Sequence, residues 1–174
     1  RALLPLEELG AKAPLERALS DPDERLQAAA AMALTRLGEG EGLAMTRALT
    51  EHEELGVAAE ALRALGHSKL PGALVPLLRT LNAVLDGTLL RAALDGLSLL
   101  GDPRAIRPLY SWLAEAPEYL HHEILVTLRS LSRATIGHDM EAWERWIEDH
   151  NPPPPPQYAL RTHSADEELG LPTP

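Results

Sequence analysis

The chain has 174 residues, of which 45% are apolar but only 3% aromatic, and its formal net charge is −10. It has no cysteine, which excludes disulfides, zinc–thiolate sites, iron–sulfur clusters and thiol nucleophiles. Because a phosphate backbone is bound mainly through clustered Lys and Arg, the acidic balance opposes nucleic-acid binding. A core of Leu, Ala, Ile and Val with few aromatics favours closely packed helices over a β-sandwich.

No apolar run reaches the roughly 18 residues that a membrane-spanning helix needs, so no membrane partner is expected. The N-terminal stretch RALLPLEELG has neither an initiator Met nor the layout of a signal peptide, and we interpret it as the cut edge of a longer protein. Lys occurs only at Lys12 and Lys69, and this excess of Arg is typical of a GC-rich bacterial genome. We therefore expect a bacterial, cytoplasmic protein.

An internal repeat is the strongest pattern in the chain. A Leu-Gly pair recurs at intervals of roughly 30 residues, at Leu9-Gly10, Leu37-Gly38, Leu65-Gly66 and Leu100-Gly101, and Leu131-Ser132 continues the series. Each pair closes an amphipathic run, which is typical of a last core leucine followed by a left-handed glycine that caps the helix. Each pair therefore predicts the end of a helix.

In chain order, the pattern predicts four short first helices, at about Pro14–Leu19, Gly42–Leu49, Pro71–Leu81 and Ala105–Leu113. A longer second helix follows each of them, in the runs ERLQAAAAMALTRLG, EELGVAAEALRALG, TLLRAALDGLSLLG and YLHHEILVTLRSLS. Apolar residues at helical spacing predict one buried stripe on each run, which in the first comprises Leu26, Ala29, Ala30, Ala33, Leu34 and Leu37.

The acidic group Asp21-Pro22-Asp23-Glu24 lies where the first of these second helices begins. Carboxylates at this position accept hydrogen bonds from free amide groups and interact favourably with the positive end of the helix dipole. Asp102-Pro103 repeats the arrangement, and Asp86-Gly87 provides a related turn. Since a unique active site would not recur at equivalent boundaries, we interpret these acids as helix caps.

The repeated unit resembles a known family. The stretch LSDPD before a run with paired alanines, and the stretch LGDPRAIRPL at Leu100–Leu109, are similar to the HEAT repeat. More narrowly, they resemble the short bacterial repeats of the phycobilin lyase type. This resemblance covers about residues 1–134 and implies an all-α, right-handed α-solenoid of about four helix pairs. Residues 1–10 would then be the truncated helix of an upstream repeat.

Two further segments follow the repeats. The stretch TIGHDMEAWERWIEDHN, residues 135–151, resembles the helix that ends many such arrays, with Asp139 as its cap and Trp143, Trp146 and Ile147 on one face. The alternative for these tryptophans is a docking surface. Residues 152–174 begin with a proline run, Pro152–Pro156, which predicts a polyproline II arm and then a flexible tail. In that tail Tyr158, Leu160, Leu169 and Leu171 could dock in a groove.

The resemblance implies that the second helices line the concave face of the array. Opposite the predicted stripe, one set of equivalent positions holds Ala31, Ala59, Leu94 and Leu125, and another holds Thr35, Arg63, Ser98 and Arg129. Exposed Leu and Met flanked by Arg is typical of a contact surface. The predicted partner-binding residues are Met32, Arg63, Arg91, Leu94, Asp95, His122, Leu125 and Arg129. The alternative is that the two leucines are ordinary surface residues or are covered by the chain's own tail.

No catalytic, metal or cofactor site is predicted. The groups Glu51-His52-Glu53-Glu54 and His121-His122-Glu123 are consecutive, and consecutive helical side chains point about 100° apart, so they do not share one ion. Helical metal ligands sit three or four residues apart, as in His-Glu-x-x-His, which is absent. Gly38-Glu-Gly-Glu-Gly42 is too acidic for a phosphate loop and indicates an inter-repeat turn.

The function that these patterns favour is a non-catalytic scaffold or adaptor that binds another protein, or upstream domains of the same chain, through the concave face. A bilin lyase-like or chaperone subunit, which would use a pair such as His122 with Arg91, is the second hypothesis. Nucleic-acid binding and a DNA glycosylase with Asp95 as its acid are disfavoured but stay open. A purely structural role, in which the array only holds upstream domains, is a further alternative. The oligomeric state is left open.

Overall fold

The computed structural model describes residues 12–83 and 86–155; residues 1–11, 84–85 and 156–174 lie outside the described parts. The described residues form helices and no strands, in the order α1 (Lys12–Ala18), α2 (Glu24–Arg36), α3 (Leu43–Leu49), α4 (Leu55–Ser68), α5 (Leu74–Ala83), α6 (Gly87–Leu100), α7 (Ile106–Leu113), α8 (His121–Ser132) and α9 (Met140–His150). Single 3₁₀ turns precede α3, α5, α7 and α8. The predictions for residues 1–10 and for the tail side chains from Tyr158 onward concern residues outside these parts.

The helices pair in sequence and the pairs stack on one another. Each first helix (α1, α3, α5, α7) packs on the second helix that follows it (α2, α4, α6, α8). The second helices also pack directly on one another, most extensively α4 on α6, whereas contacts between neighbouring first helices are sparse. This arrangement confirms the predicted all-α solenoid, with four helix pairs among the described residues.

The predicted helix caps are confirmed. Asp23 is the N-cap of α2 and accepts a hydrogen bond of 2.9 Å from the amide of Arg25. Asp86 caps α6 in the same way, and Asp139 caps α9 through the amide of Ala142. Asp102 accepts from the amide of Arg104 at the 3₁₀ turn before α7. The acids therefore start helices, as their recurrence predicted.

The predicted helix ends are only partly right. Gly38 and Gly101 follow α2 and α6 in left-handed conformation, with φ of 79° and 70°. Leu65-Gly66, however, does not end a helix: α4 continues to Ser68, and Lys69 takes the left-handed position with φ of 56°. At the end of α8 the left-handed residue is Arg133, just after Leu131-Ser132.

Gly66 serves a different purpose, which is the close approach of two helices. A Cβ atom placed on Gly66 would lie 2.6 Å from the Cα of Gly96, and one placed on Gly96 would lie 2.8 Å from the carbonyl oxygen of Leu62. Real side-chain carbons do not approach backbone so closely. The helices α4 and α6 therefore touch backbone to backbone at this point, and only glycine fits between them.

The core is aliphatic and runs through the stack. It is built from leucines and alanines of the second helices together with the inner faces of α5 and α7. The predicted buried stripe of α2 is wrong for Leu26 and Leu37, which are 45% and 37% exposed, and for Ala29, which is also exposed. The reason is the position of α2 at the start of the described array. Among the described second helices, only α4 packs against α2, so one side of α2 is left uncovered by them.

The last helix, α9, packs on the end of the array. Trp143 is fully buried within the common core, and its indole nitrogen donates to the carbonyl of Gly137 at 3.0 Å. Ile147 is also buried, and the hydroxyl of Tyr110 in α7 donates to the carbonyl of Met140 at 3.4 Å. Trp146 is half-buried and stacks on His150 with ring centroids 4.3 Å apart. The tryptophan face therefore points into the core.

The close helix contact predicts a large effect of one methyl group. Gly66→Ala should lower the free energy of unfolding by about 1–3 kcal/mol, because the added Cβ overlaps the backbone of α6. Gly56→Ala, in the same helix, is the matched control: its nearest neighbour would be a Glu54 oxygen at 3.9 Å. That variant should be neutral or up to about 1 kcal/mol more stable. Urea unfolding measures both, and equal effects of the two substitutions would contradict the helix contact.

A second prediction concerns pH. Burial alone would raise the pKa of the Asp102 carboxyl, but hydrogen bonds from Arg104 outweigh it and hold this pKa below its usual range. The depressed pKa stabilises the fold above the unfolded-state value of about 3.9, and this contribution is lost as the pH falls through the lower folded value.

The wild type should therefore be more stable than Asp102→Asn at neutral pH, by about 0.5–1 kcal/mol for a partly exposed pair. The difference should shrink below about pH 4, where the wild-type carboxyl takes up its proton. Thermal melting of both variants across this range measures it. A difference that stays constant down to strongly acidic pH would rule out the pair as its source.

Candidate functional site

The exposed sides of the second helices form a continuous strip. We call this strip the second-helix face; it comprises Met32, Arg36, Glu60, Arg63, Arg91, Asp95, Leu99, His122, Glu123, Val126 and Arg129, all exposed or half-buried. The second helices pack directly on one another, whereas neighbouring first helices make few contacts. The strip therefore lies on the side of the array that the second helices form, where the resemblance predicted the binding face.

Six of the eight predicted site residues lie on the second-helix face. They are Met32, Arg63, Arg91, Asp95, His122 and Arg129. The structure thus brings together residues from all four second helices on one side of the array. Their role in partner binding stays a prediction.

Leu94 and Leu125 do not lie on this face, and the expectation that they are exposed is wrong. Their side chains are 2% and 1% exposed and belong to the core. The equivalent Ala31 and Ala59 are buried as well, and the hydroxyl of Thr35 pairs with that of Thr46 at 2.9 Å inside the protein. A second helix is packed by its own first helix and by its neighbours in the stack. Its buried surface is therefore wider than the single stripe that the sequence indicated.

Ion pairs run across the second-helix face from one helix to the next. Arg36 of α2 pairs with Glu60 of α4. Glu60 also faces Arg63 at 3.8 Å, and the Nε atom of Arg63 lies 3.9 Å from a carboxylate oxygen of Asp95 in α6. Four charged side chains from three helices thus form one alternating row across the face.

A second set of contacts joins α6 to α8. The Nε atom of Arg91 lies 3.4 Å from a carboxylate oxygen of Glu123, and its guanidinium carbon lies 5.4 Å from the centre of the Tyr119 ring. The hydroxyls of Ser98 and Ser130 are 3.0 Å apart. Arg91 is therefore held between a carboxylate and an aromatic ring, an arrangement that the sequence pattern does not indicate.

The charges on this face almost balance. Four arginines, Arg36, Arg63, Arg91 and Arg129, stand beside three carboxylates, Glu60, Asp95 and Glu123. Binding along a phosphate backbone needs a track of unpaired basic groups, and most of these arginines already face a carboxylate. The face therefore suits a partner with charges of both signs better than a polyanion.

Five residues of this face, Arg36, Glu60, Leu99, Glu123 and Val126, are not among the predicted partner-binding residues. Of these, Arg36 and Leu99 each lie one helical turn after a predicted residue, Met32 and Asp95 respectively. Leu99 is 37% exposed and Val126 is 44% exposed, so these two supply the apolar surface that the sequence pattern assigns to Leu94 and Leu125. The sequence signal for Leu99 is its position four residues after the charged Asp95, because residues at this spacing share one face of a helix.

The histidine-containing groups have local roles. The Nδ1 atom of His52 accepts a hydrogen bond of 3.0 Å from the amide of Glu54, in the turn between α3 and α4. An imidazole nitrogen of His121 lies 3.0 Å from the carbonyl oxygen of Ala116. Within residues 12–83 and 86–155, no three His, Asp or Glu side chains come close enough to share a metal ion. Asp95, the acid of the glycosylase hypothesis, stands exposed beside Arg63.

None of the helices that the structure describes has the length and apolarity needed to cross a membrane.

Residues 11–86 match a family model described as HEAT repeats. The matched region contains the helices α1 to α5, and thus the first two helix pairs and the first helix of the third. None of the curated proteins matches the chain.

Leu125 is buried while Val126, the next residue of α8, is exposed, so the two form a substitution and its matched control. Leu125→Ala should lower the free energy of unfolding by about 2–5 kcal/mol, because it leaves a cavity in the core. Val126→Ala, one residue along the same helix, should change it by no more than about 0.5 kcal/mol. Chemical denaturation followed by circular dichroism measures both. Similar small effects of the two substitutions would show that Leu125 is a surface residue after all.

Proposed function

Since this chain is a HEAT-repeat protein, we propose that it is a non-catalytic scaffold or adaptor that binds another protein through the second-helix face. HEAT repeats generally act as protein-interaction scaffolds. Each repeat adds one more helix to a continuous surface, so a partner is recognised over several repeats at once.

The observation that carries this proposal is the row of ion-paired side chains beside exposed apolar residues. Arg and Met are enriched at protein interfaces, and here Met32 and four arginines share a strip with Leu99 and Val126. The row Arg36–Glu60–Arg63–Asp95 spans three helices. A partner with alternating charges would match this row, and its binding would bury the exposed apolar surface of Leu99 and Val126.

Preorganisation is the mechanism that we propose for this binding. Ordering long side chains on association costs roughly 0.5–1.5 kcal/mol each, and side chains that are already held by neighbours lose less. Arg63 and Arg91 are held in this way before any partner arrives. Removing the carboxylate of Asp95 or Glu123 should therefore weaken binding, even if the bound protein never touched that carboxylate.

The bilin lyase hypothesis receives no support from the described residues. It would need Arg91 together with His122, but Arg91 is engaged by Glu123 and lies over the ring of Tyr119. The nucleic-acid hypothesis is disfavoured by the near balance of charges on the second-helix face.

Site-specific photo-crosslinking tests the proposal. A photoreactive amino acid is placed at Leu99 or Val126 on the second-helix face, and at Arg47 or Arg79 on the first helices as controls; all four positions are exposed. The full chain is irradiated in lysate of its source organism, and the products are identified by mass spectrometry. Leu99 and Val126 should capture the same protein, and the control positions should not. Capture of one partner from Arg47 and Arg79 alone would overturn the assignment of the face.

A further inference from the structure

The chain crosses its own first-helix side after α9. A groove of about 360 Å³ lies between α5 and α7. Apolar, aromatic and polar side chains of both helices line it, and so does one residue of the proline run. The main lining residues are Leu78, Leu81, Asn82, Arg107, Trp112 and Pro155. The groove exists because neighbouring first helices are spread apart while the second helices behind them are in close contact.

The start of the proline run is fixed in place by one arginine. Arg107 of α7 donates from Nε to the carbonyl oxygen of Pro152 at 3.0 Å and from its terminal nitrogen to the side-chain oxygen of Asn151 at 2.9 Å. Pro152 is buried, and Asn151 is left-handed with φ of 39°, which turns the chain away from α9. Pro155, three residues later, lines the groove.

The groove has the chemistry that a polyproline segment needs. Proline has no backbone N–H, so a polyproline II helix presents only carbonyl oxygens and apolar rings. A site that recognises it must therefore supply hydrogen-bond donors and an apolar or aromatic surface. Arg107 and Asn82 carry donors, and Leu78, Leu81 and Trp112 carry apolar and aromatic surface.

We propose that this groove is a polyproline-binding site whose occupant is the chain's own proline run, which begins at Pro152. The groove lies on the first helices, away from the second-helix face, so it is a separate interaction surface. A tethered segment has an effective concentration in the millimolar range, so a proline-rich segment of another protein would have to compete with it. The proline run then acts as a built-in competitor for such segments.

Fluorine NMR on the full chain tests the proposal, because Trp112 lies in the groove while Trp143 lies in the core. The chain is labelled with 5-fluorotryptophan, and its three tryptophan resonances are assigned by single Trp→Phe variants. The triple variant Pro153→Gly, Pro154→Gly, Pro155→Gly should shift the Trp112 resonance and leave that of Trp143 in place. Pro22→Gly, an exposed proline in another repeat, is the matched control and should shift neither.

Decaproline is then added in trans to the wild type and to the triple variant. The triple variant should bind it with an apparent Kd at least about tenfold lower than the wild type, because its groove is no longer occupied. Adding Arg107→Ala to the triple variant should weaken that binding. Should the triple variant fold poorly, shown by a displaced Trp143 resonance, Pro155→Gly alone takes its place.

Three results would overturn the proposal. An unchanged Trp112 resonance in the proline variant would mean that the proline run does not occupy the groove. Equal decaproline affinity of the wild type and the variant would mean that it does not compete there. If decaproline did not shift the Trp112 resonance of the triple variant in a saturable way, the groove would not recognise polyproline.

Discussion

The backbone contact between α4 and α6 at Gly66 and Gly96 is the constraint on which the rest of the structure depends. It brings two second helices closer than any side chain would allow. Alanines such as Ala58, Ala61 and Ala93 continue this close packing along the same helices. The short distance between helices makes cross-helix ion pairs such as Arg63 with Asp95 possible, and it explains why only a narrow strip of each second helix is exposed.

The same constraint shapes the other side of the molecule. Helices that meet closely on one side of a stack spread apart on the other, which leaves grooves between the first helices. The groove between α5 and α7 then offers Trp112 and Arg107 to the segment that follows α9. Two surfaces of different chemistry thus arise from one packing geometry: a row of paired charges on the second helices, and an apolar groove with donors on the first helices.

Features set by local chemistry could be predicted from the sequence. Asp23, Asp86 and Asp139 start helices because a carboxylate satisfies free amides wherever a helix begins, and the first helices follow from their apolar spacing. Features set by the distance between helices could not. Gly66 has the same sequence context as a capping glycine, and only the approach of α6 distinguishes the two. For the same reason the sequence pattern places Leu94 and Leu125 at the surface: it indicates one apolar stripe, whereas neighbouring helices also cover the flanks of that stripe.

Native-state hydrogen exchange of the 174-residue chain without a partner tests the central claim, that the contact between α4 and α6 is the rigid centre that supports the second-helix face. Amides deep in packed elements open only with large free energies, whereas those at the edges of a structure exchange through smaller openings. The slowest exchange should occur in α4 and α6, at residues such as Leu62 and Ala93, with faster exchange in α1 and α9. Exchange in α4 and α6 as fast as in α1 and α9 would contradict the claim.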